Sequence, residues 1–126
     1  MIFIEYGKEY KIMDEKKNLY ILWTNADIDT SRFMVMMYAR NSKLKGWWEN
    51  VTVIIWGATA RLVAENQVIQ EEINIAKLAG VKFTACIACA RQLGVISELE
   101  AQGIEVKSWG PPLTELLKEN EKLITI

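Results

Sequence analysis

Short runs of apolar residues recur along the chain and predict five buried strands. Runs with few polar residues, such as LYILW and VTVIIW, are typical of strands covered on both faces of a sheet. The predicted strands are Leu19–Trp23, Val51–Trp56, Val81–Ala85, Glu105–Lys107 and Leu123–Ile126. Between the strands, apolar residues return at helical spacing, as at Ile69, Ile73 and Ala76. The pattern therefore alternates strand and helix from residue 19 to residue 126.

This alternation predicts βαβ units with right-handed crossovers. We therefore expect an α/β fold, a three-layer α/β/α sandwich around a five-stranded, mainly parallel sheet, flavodoxin-like in appearance. Residues 1–18 precede the regular succession of strands and helices. The apolar residues at every second position, Ile2, Ile4 and Tyr6, are followed by Gly7 and predict an N-terminal hairpin or arm. The expected organisation is this arm followed by one α/β domain over residues 19–126.

Residues with capping chemistry indicate where several helices begin. Short side-chain oxygens can accept the free N–H groups of a first helical turn, and the candidates for this role are Asn66 and, for the helix after the first strand, Asp27, Asp29, Thr30 or Ser31. Ser97 and Glu100 have the spacing of a capping box. Pro111 suits the first turn of a helix, where a missing N–H costs nothing. We expect helices to start at these four places.

The helix that follows Asp27 is apolar around most of its circumference. Its apolar side chains are Phe33, Met34, Met36, Met37, Tyr38 and Ala39. One face should pack on the sheet, but a helix that faces solvent normally has a polar outer face. The excess of apolar residues therefore predicts a homo-oligomer in which a neighbouring subunit covers this helix.

Composition excludes several classes of protein. Fifteen basic and sixteen acidic residues leave a net charge of -1, without the basic excess typical of nucleic-acid binders. No apolar run approaches the ~20 residues of a membrane span, so we expect no membrane partner. The first ten residues carry acid and lack the basic start of a secretory signal, and two cysteines are too few for a disulfide scaffold. These features predict a cytoplasmic protein.

The chain contains no histidine, and this removes much catalytic chemistry. Neither a Ser-His-Asp triad nor a Cys-His pair can be built, and histidine-based metal sites are excluded. No phosphate-binding or dinucleotide-binding glycine motif is present. We expect no cofactor and no metal, although a four-thiolate site shared between two subunits stays open. The two thiols are then the main reactive groups.

In open α/β sheets, binding sites form beyond the carboxyl ends of the strands. In this chain the residues at or just after those strand ends are Asn25, Gly57, Cys86 and the pair Trp109-Gly110. All of them should face one edge of the sheet. These positions are the predicted site, with Cys86 as its reactive group.

Cys86 ends a predicted strand and opens a predicted helix, where free N–H groups stabilise a thiolate. Cys89 follows one helical turn later and can act as a resolving thiol. Arg61 and Arg91 are candidates for stabilising an anionic sulfur species. The plainer alternative is that both cysteines are buried and fill space.

Residues Ala85–Ile126 resemble the DsrE/DsrF-like family. A cysteine at the end of the third strand, eight residues before a Gly-Val pair, is similar to the sulfur-relay subunits of the DsrE and TusD type, and maps onto Cys86, Gly94 and Val95. The resemblance implies a five-stranded α/β/α fold, trimers or hexamers, and sulfur carried as a persulfide on Cys86. Cys89 has no counterpart in those subunits and is similar to small stand-alone members.

The leading hypothesis is a sulfur carrier that uses Cys86 as a persulfide acceptor, with partner proteins as sulfur donor and acceptor. Whether the chain turns over as a sulfurtransferase-like enzyme is left open. Two alternatives remain: an oligomeric module that binds a small molecule or protein without catalysis, and a redox protein that cycles a Cys86–Cys89 disulfide.

Overall fold

The computed structural model describes residues 16–126 in full and the backbone of residues 3–6 and 9–12. Its strands are β1 (Phe3–Tyr6), β2 (Glu9–Ile12), β3 (Asn18–Trp23), β4 (Asn50–Ile55), β5 (Lys82–Cys86), β6 (Glu105–Lys107) and β7 (Lys122–Thr125). The last five correspond to the five strands predicted from the apolar runs. Each of them begins and ends within one residue of its predicted bounds.

Helices separate the strands of the domain. They are α1 (Ile28–Thr30), a π-helix (Ser31–Met36), α2 (Met37–Leu44), α3 (Thr59–Glu65), α4 (Gln67–Leu78), α5 (Ile87–Leu93), α6 (Ile96–Ala101) and α7 (Gly110–Lys118). The first three follow one another directly and fill the place of the single predicted helix after Asp27. Among residues 16–126, no helix combines the length and the apolar character needed to cross a membrane.

Strands β3 to β7 form one sheet in the order β6-β5-β4-β3-β7. Every neighbouring pair in it runs parallel; for example, Ile21 of β3 lies opposite Val53 of β4 and Ile124 of β7. The sheet is therefore wholly parallel, where the sequence predicted a mainly parallel one. The α/β sandwich is confirmed.

The strand order decides which helices cover which face. The connections from β3 to β4, β5 and β6 all step in one direction across the sheet. Because such crossovers are right-handed, their helices all lie on the same face. The connection from β6 to β7 steps back across the sheet, so α7 lies on the other face. We call the first face the covered face and the second the open face.

The covered face holds the main core. Helices α2 to α6 and the π-helix press apolar side chains onto inward-facing residues of β3, β4 and β5. Fully buried members include Ile21, Trp23, Val35, Val53, Ile55, Ile69, Ile73 and Leu99. This packing sets the positions of the strand ends.

Within residues 16–126, one helix covers the open face. Helix α7 has nine residues and is about 14 Å long, whereas a five-stranded sheet is roughly 19 Å wide between its outer strands. Its Leu113 and Leu116 pack against a small cluster around Ile54, Cys86 and Trp109. A helix of this length cannot cover the whole face, and the uncovered part of the sheet lines a groove.

The N-terminal strands β1 and β2 pair with each other antiparallel, with Phe3 opposite Ile12 and Tyr6 opposite Glu9. They form a two-stranded sheet of their own and are not strands of the main sheet. The expected turn at Gly7 lies outside the described residues, as do residues 1, 2, 8 and 13–15.

Two of the predicted helix caps are confirmed and one prediction is wrong. The side chains of Asp27 and Asn66 accept the N–H groups of Thr30 and Ile69, at 2.9 and 3.0 Å. Helix α6, however, begins at Ile96 with Val95 as its N-cap, so the predicted capping box does not form. The left-handed Gly94 (φ 70°) ends α5 and leaves the Val95 carbonyl free to accept the Leu99 N–H at 3.1 Å. Ser97 lies inside the helix, and its hydroxyl donates to Glu98 instead of accepting at a helix start.

Candidate functional site

Cys86 is the last residue of β5, and α5 begins at the next residue. Its backbone is extended, and its side chain lies on the open face, where it packs with Ile54 and Trp109. Only 4% of the residue is exposed. The thiol is therefore shielded from solvent at the carboxyl edge of the sheet.

A hydrogen bond and a cation–π contact hold the Trp109 ring in place. Its indole N–H donates to the Thr84 hydroxyl at 2.9 Å, and that hydroxyl donates to the Glu105 carbonyl at 3.0 Å. The Lys107 ammonium lies 4.7 Å from the centre of the ring, within cation–π distance. These contacts fix the tryptophan against Cys86.

Cys89 is the more accessible of the two thiols. It is half-buried and lines a shallow depression of about 430 Å³ in the surface between α3 and α5. We call this depression the Cys89 pocket; its residues are Gly57, Ala58, Arg61, Ala88, Cys89, Gln92 and Leu93. Both cysteines are free thiols, so the site pairs one shielded sulfur with one at the surface.

Burial and two neighbouring residues set the pKa of the Cys89 thiol. Burial raises the pKa of its thiol most strongly, the Gly57 N–H lowers that pKa, and the adjacent Cys86 side chain raises it again. Cys89 also packs against the buried cluster that contains Cys86, so the two thiols lie close together.

Gly57 shapes the pocket through its backbone. Its φ of 68° lies in the left-handed region that favours glycine. This turn follows Trp56, the residue after β4, and places Gly57 in the same pocket wall as Cys89. A side chain at this position would strain the turn, even though the space beside it is open.

Solved structures show what this arrangement is similar to. A conserved protein of unknown function from Bacteroides thetaiotaomicron, BT1422, has 43% sequence identity and a TM-score of 0.85. The similarity covers 87% of this chain and 95% of that one. The chain belongs to the DsrE/YchN-like family.

Two more distant members share the fold. The ychN protein from E. coli is 15% identical with a TM-score of 0.65, and MTH1491, a protein of unknown function from Methanobacterium thermoautotrophicum, is 17% identical with a TM-score of 0.67. Each similarity covers 89% of this chain and all of the other. No family model and no curated protein matches the sequence. The DsrE/YchN-like relationship thus supports the fold and leaves the chemistry to be argued from the site.

The structure brings together some of the predicted site residues of this DsrE/YchN-like chain. Cys86, Cys89, Gly57 and Trp109 gather around the carboxyl ends of β4 and β5. Asn25 instead forms a turn, since its side chain accepts the Asp27 N–H at 2.9 Å, and it does not line the Cys89 pocket.

Gly110 and Arg91 also lie apart from the pocket. Gly110 opens α7, and its carbonyl accepts the Thr114 hydroxyl at 2.9 Å. Arg91 is exposed on α5, two residues after Cys89, and two residues correspond to about 200° around a helix. Arg91 therefore faces away from the pocket. The positive charge of the pocket comes from Arg61 of α3.

Sequence reasoning missed Ala88, Gln92 and Leu93. The helical repeat could have identified two of them, because residues three and four positions after Cys89 lie on the same side of the helix as Cys89. Applied to α5, that rule selects Gln92 and Leu93 as pocket residues.

A larger groove of about 580 Å³ opens on the open face, away from the Cys89 pocket. Tyr20, Thr52, Thr84 and Trp109 contribute to its floor, and α7 forms one wall. Burial, followed by the charges of Glu121 and Glu119, raises the pKa of Tyr20. We call this cavity the open-face groove.

Proposed function

We propose that this protein carries sulfane sulfur, with Cys86 as the residue that stores it as a persulfide. The observation that supports this function is the pair of free, interacting thiols, one shielded beneath Trp109 and one at the surface. A persulfide at Cys86 would be protected from stray thiols by the hydrocarbon around it. The resemblance to sulfur-relay subunits supports the same role for Cys86.

The chemistry needs no outside oxidant. A thiolate of the protein attacks the outer sulfur of a donor persulfide R–S–SH, a new S–S bond forms, and the donor leaves as R–S⁻ and takes up a proton. Release is the reverse reaction with a partner thiol. The transferred sulfur keeps its oxidation state throughout, so donor and acceptor are both thiol-bearing molecules or proteins.

Intact mass measurement after incubation with a polysulfide donor tests this function. The parent is expected to retain the mass of one added sulfur atom after the donor is removed, and Cys86→Ala is expected to lose that retention. Alanine is preferred to serine because an unpaired hydroxyl at this buried position would itself be destabilising. Equal retention of sulfur by Cys86→Ala and the parent would overturn the proposal.

The contact between the two thiols also favours a second candidate function, a dithiol redox cycle. A Cys89 thiolate can attack the inner sulfur of a Cys86 persulfide, forming the Cys86–Cys89 disulfide and releasing HS⁻. Here the outer sulfur is reduced and the two thiols are oxidised, so the electrons balance. Titration in glutathione buffers should show one two-electron transition in the parent and none in either single variant; its absence in the parent would exclude this cycle.

The open-face groove favours the alternative of a small-molecule binding module. Its volume is within the usual range of ligand sites, and it combines aromatic, hydroxyl and charged groups. Binding there would not require either thiol. A ligand that protects the fold of a Cys86→Ala, Cys89→Ala double variant as well as that of the parent would support this alternative.

We also propose that the chain forms a homo-oligomer through its first helical segment. Phe33, Met34 and Met37 are 55%, 40% and 39% exposed, although their neighbours Val35, Met36 and Ala39 are buried in the core. Exposed apolar side chains this close together are typical of interfaces. Met37→Glu is expected to reduce the mass measured by light scattering, whereas an unchanged mass would contradict this interface.

A further inference from the structure

The shielding of Cys86 raises the question of how sulfur reaches it. Cys86 lies within the cluster of Ile54 and Trp109 and is not part of the wall of the Cys89 pocket. Cys89 is in that wall and also contacts the same cluster from its edge. Of the two sulfurs, only Cys89 therefore borders both the solvent and the buried cluster.

The Cys89 pocket has a distinct chemical character. Its walls are small or apolar at Gly57, Ala58, Ala88 and Leu93, which leaves room for a ligand beside the sulfur. Arg61 is the only charged residue that lines it. Within residues 16–126, none of the salt bridges involves Arg61, so its guanidinium is available to an anionic group.

We propose that Cys89 is the thiol that meets the sulfur donor, and that Arg61 selects a small donor carrying a carboxylate. A pocket of this volume suits a low-molecular-weight persulfide, whose carbon chain contacts the apolar walls while its carboxylate pairs with Arg61. Only the final storage step at Cys86 rests on the proposed function.

The transfer takes place in two balanced steps. The Cys89 thiolate attacks the outer sulfur of R–S–SH, the donor S–S bond breaks, and R–S⁻ leaves with the electron pair and takes up a proton. The Cys86 thiolate then attacks the same outer sulfur, and Cys89 leaves as a thiolate that regains its proton. Gly57 lies in the same pocket wall, and its N–H lowers the pKa of Cys89 and so favours that departing charge.

Two aromatic disulfides probe the entry step without any persulfide. Dithiobis(nitrobenzoate) carries carboxylates, and dithiodipyridine is neutral; both release a coloured thiolate or thione when a protein thiol attacks. The parent is expected to show one fast-reacting thiol with either reagent. Cys86→Ala should keep this fast phase and Cys89→Ala should lose it. The opposite pattern would overturn the proposal.

The same reagents test the role of Arg61. Arg61→Gln is expected to slow the reaction with dithiobis(nitrobenzoate) about threefold, the effect of one partly exposed ion pair, and to leave dithiodipyridine unaffected. Arg40→Gln is the matched control, since it removes the same charge from α2 outside the pocket. Equal slowing of both reagents by Arg61→Gln, or equal effects of the two variants, would refute selection by Arg61. If these assays succeed but Cys86→Ala retains sulfur as well as the parent, entry at Cys89 stands and storage at Cys86 falls.

Discussion

The two faces of the sheet differ in how they are closed. On the covered face, five helices and a π-helix enclose a continuous core that runs from Leu19 to Ile104. On the open face, within residues 16–126, α7 alone packs over three buried residues, Ile54, Cys86 and Trp109, and leaves the open-face groove beside them. The buried thiol of Cys86 lies on this weakly covered side, whereas the accessible thiol of Cys89 lies between α3 and α5. The fold therefore places its main core on one face and its buried thiol on the other.

This division follows from strand order and not from local composition. Three successive crossovers in one direction place their helices on one face, and the return crossover supplies α7, the only helix of the other face among the described residues. Cys86 faces the open side because side chains alternate along β5, and Ala85 faces the covered core. Moving the cysteine by one residue would bury it under the helices of the covered face.

The largest expected effect compares two neighbours in β4. Ile54 and Ile55 are both fully buried, but they face the open and the covered side respectively. Ile55→Ala should lower the free energy of unfolding by about 4 kcal/mol and Ile54→Ala by about 2 kcal/mol, because α7 can move toward the smaller residue while the crowded covered core cannot. Urea denaturation measures both. Equal losses would show that the open face is as rigid as the other.

The next effect concerns the indole that covers Cys86. Trp109→Phe removes the 2.9 Å hydrogen bond to Thr84 while keeping an aromatic ring, and should cost about 1–2 kcal/mol. With this hydrogen bond lost, the ring should cover Cys86 less tightly, and alkylation of Cys86 in a Cys89→Ala background should be faster. Trp47→Phe is the control, since Trp47 is exposed and should change stability by less than about 0.5 kcal/mol. Unchanged alkylation would mean that Trp109 does not control access to the thiol.

The apolar runs were sufficient to predict the sheet and its carboxyl edge, because a buried parallel strand needs an unbroken apolar segment. They could not reveal the open face, since the number of helices on each side depends on strand order, which the sequence pattern leaves undetermined. The sequence named both Arg61 and Arg91 and could not decide between them for a similar reason: the choice depends on the rotation of α5 and its packing against α3. The capping box at Ser97 was overridden by the left-handed turn at Gly94.

A smaller effect compares helices from the two faces. On the covered face, α4 has a side-chain cap from Asn66, whereas α7 on the open face has none. Asn66→Ala should lower the free energy of unfolding by about 1 kcal/mol and speed amide exchange in the first turn of α4 toward the rates of α7. Hydrogen exchange measures both helices in one sample. If α7 exchanges more slowly than α4 in the parent, the open face is the better protected of the two.

The smallest effect is a loss of stability in alkaline solution that should come from two groups, Cys89 on α5 and Tyr20 in the open-face groove. Burial raises the pKa of Cys89 above its ordinary value of 9.0, and burial with nearby carboxylates raises that of Tyr20 above 10.0. Below pH 8 both groups are neutral in the folded and the unfolded chain, so they cause no change in stability. As the pH rises past the unfolded pKa values, the unfolded chain loses these protons first, and the free energy of unfolding falls until the folded pKa values are passed. Cys89→Ala should remove the part of this fall that begins near pH 9, and Tyr20→Phe the part that begins near pH 10. A fall of the same size in the double variant would have to arise elsewhere in the chain and would contradict its assignment to Cys89 and Tyr20.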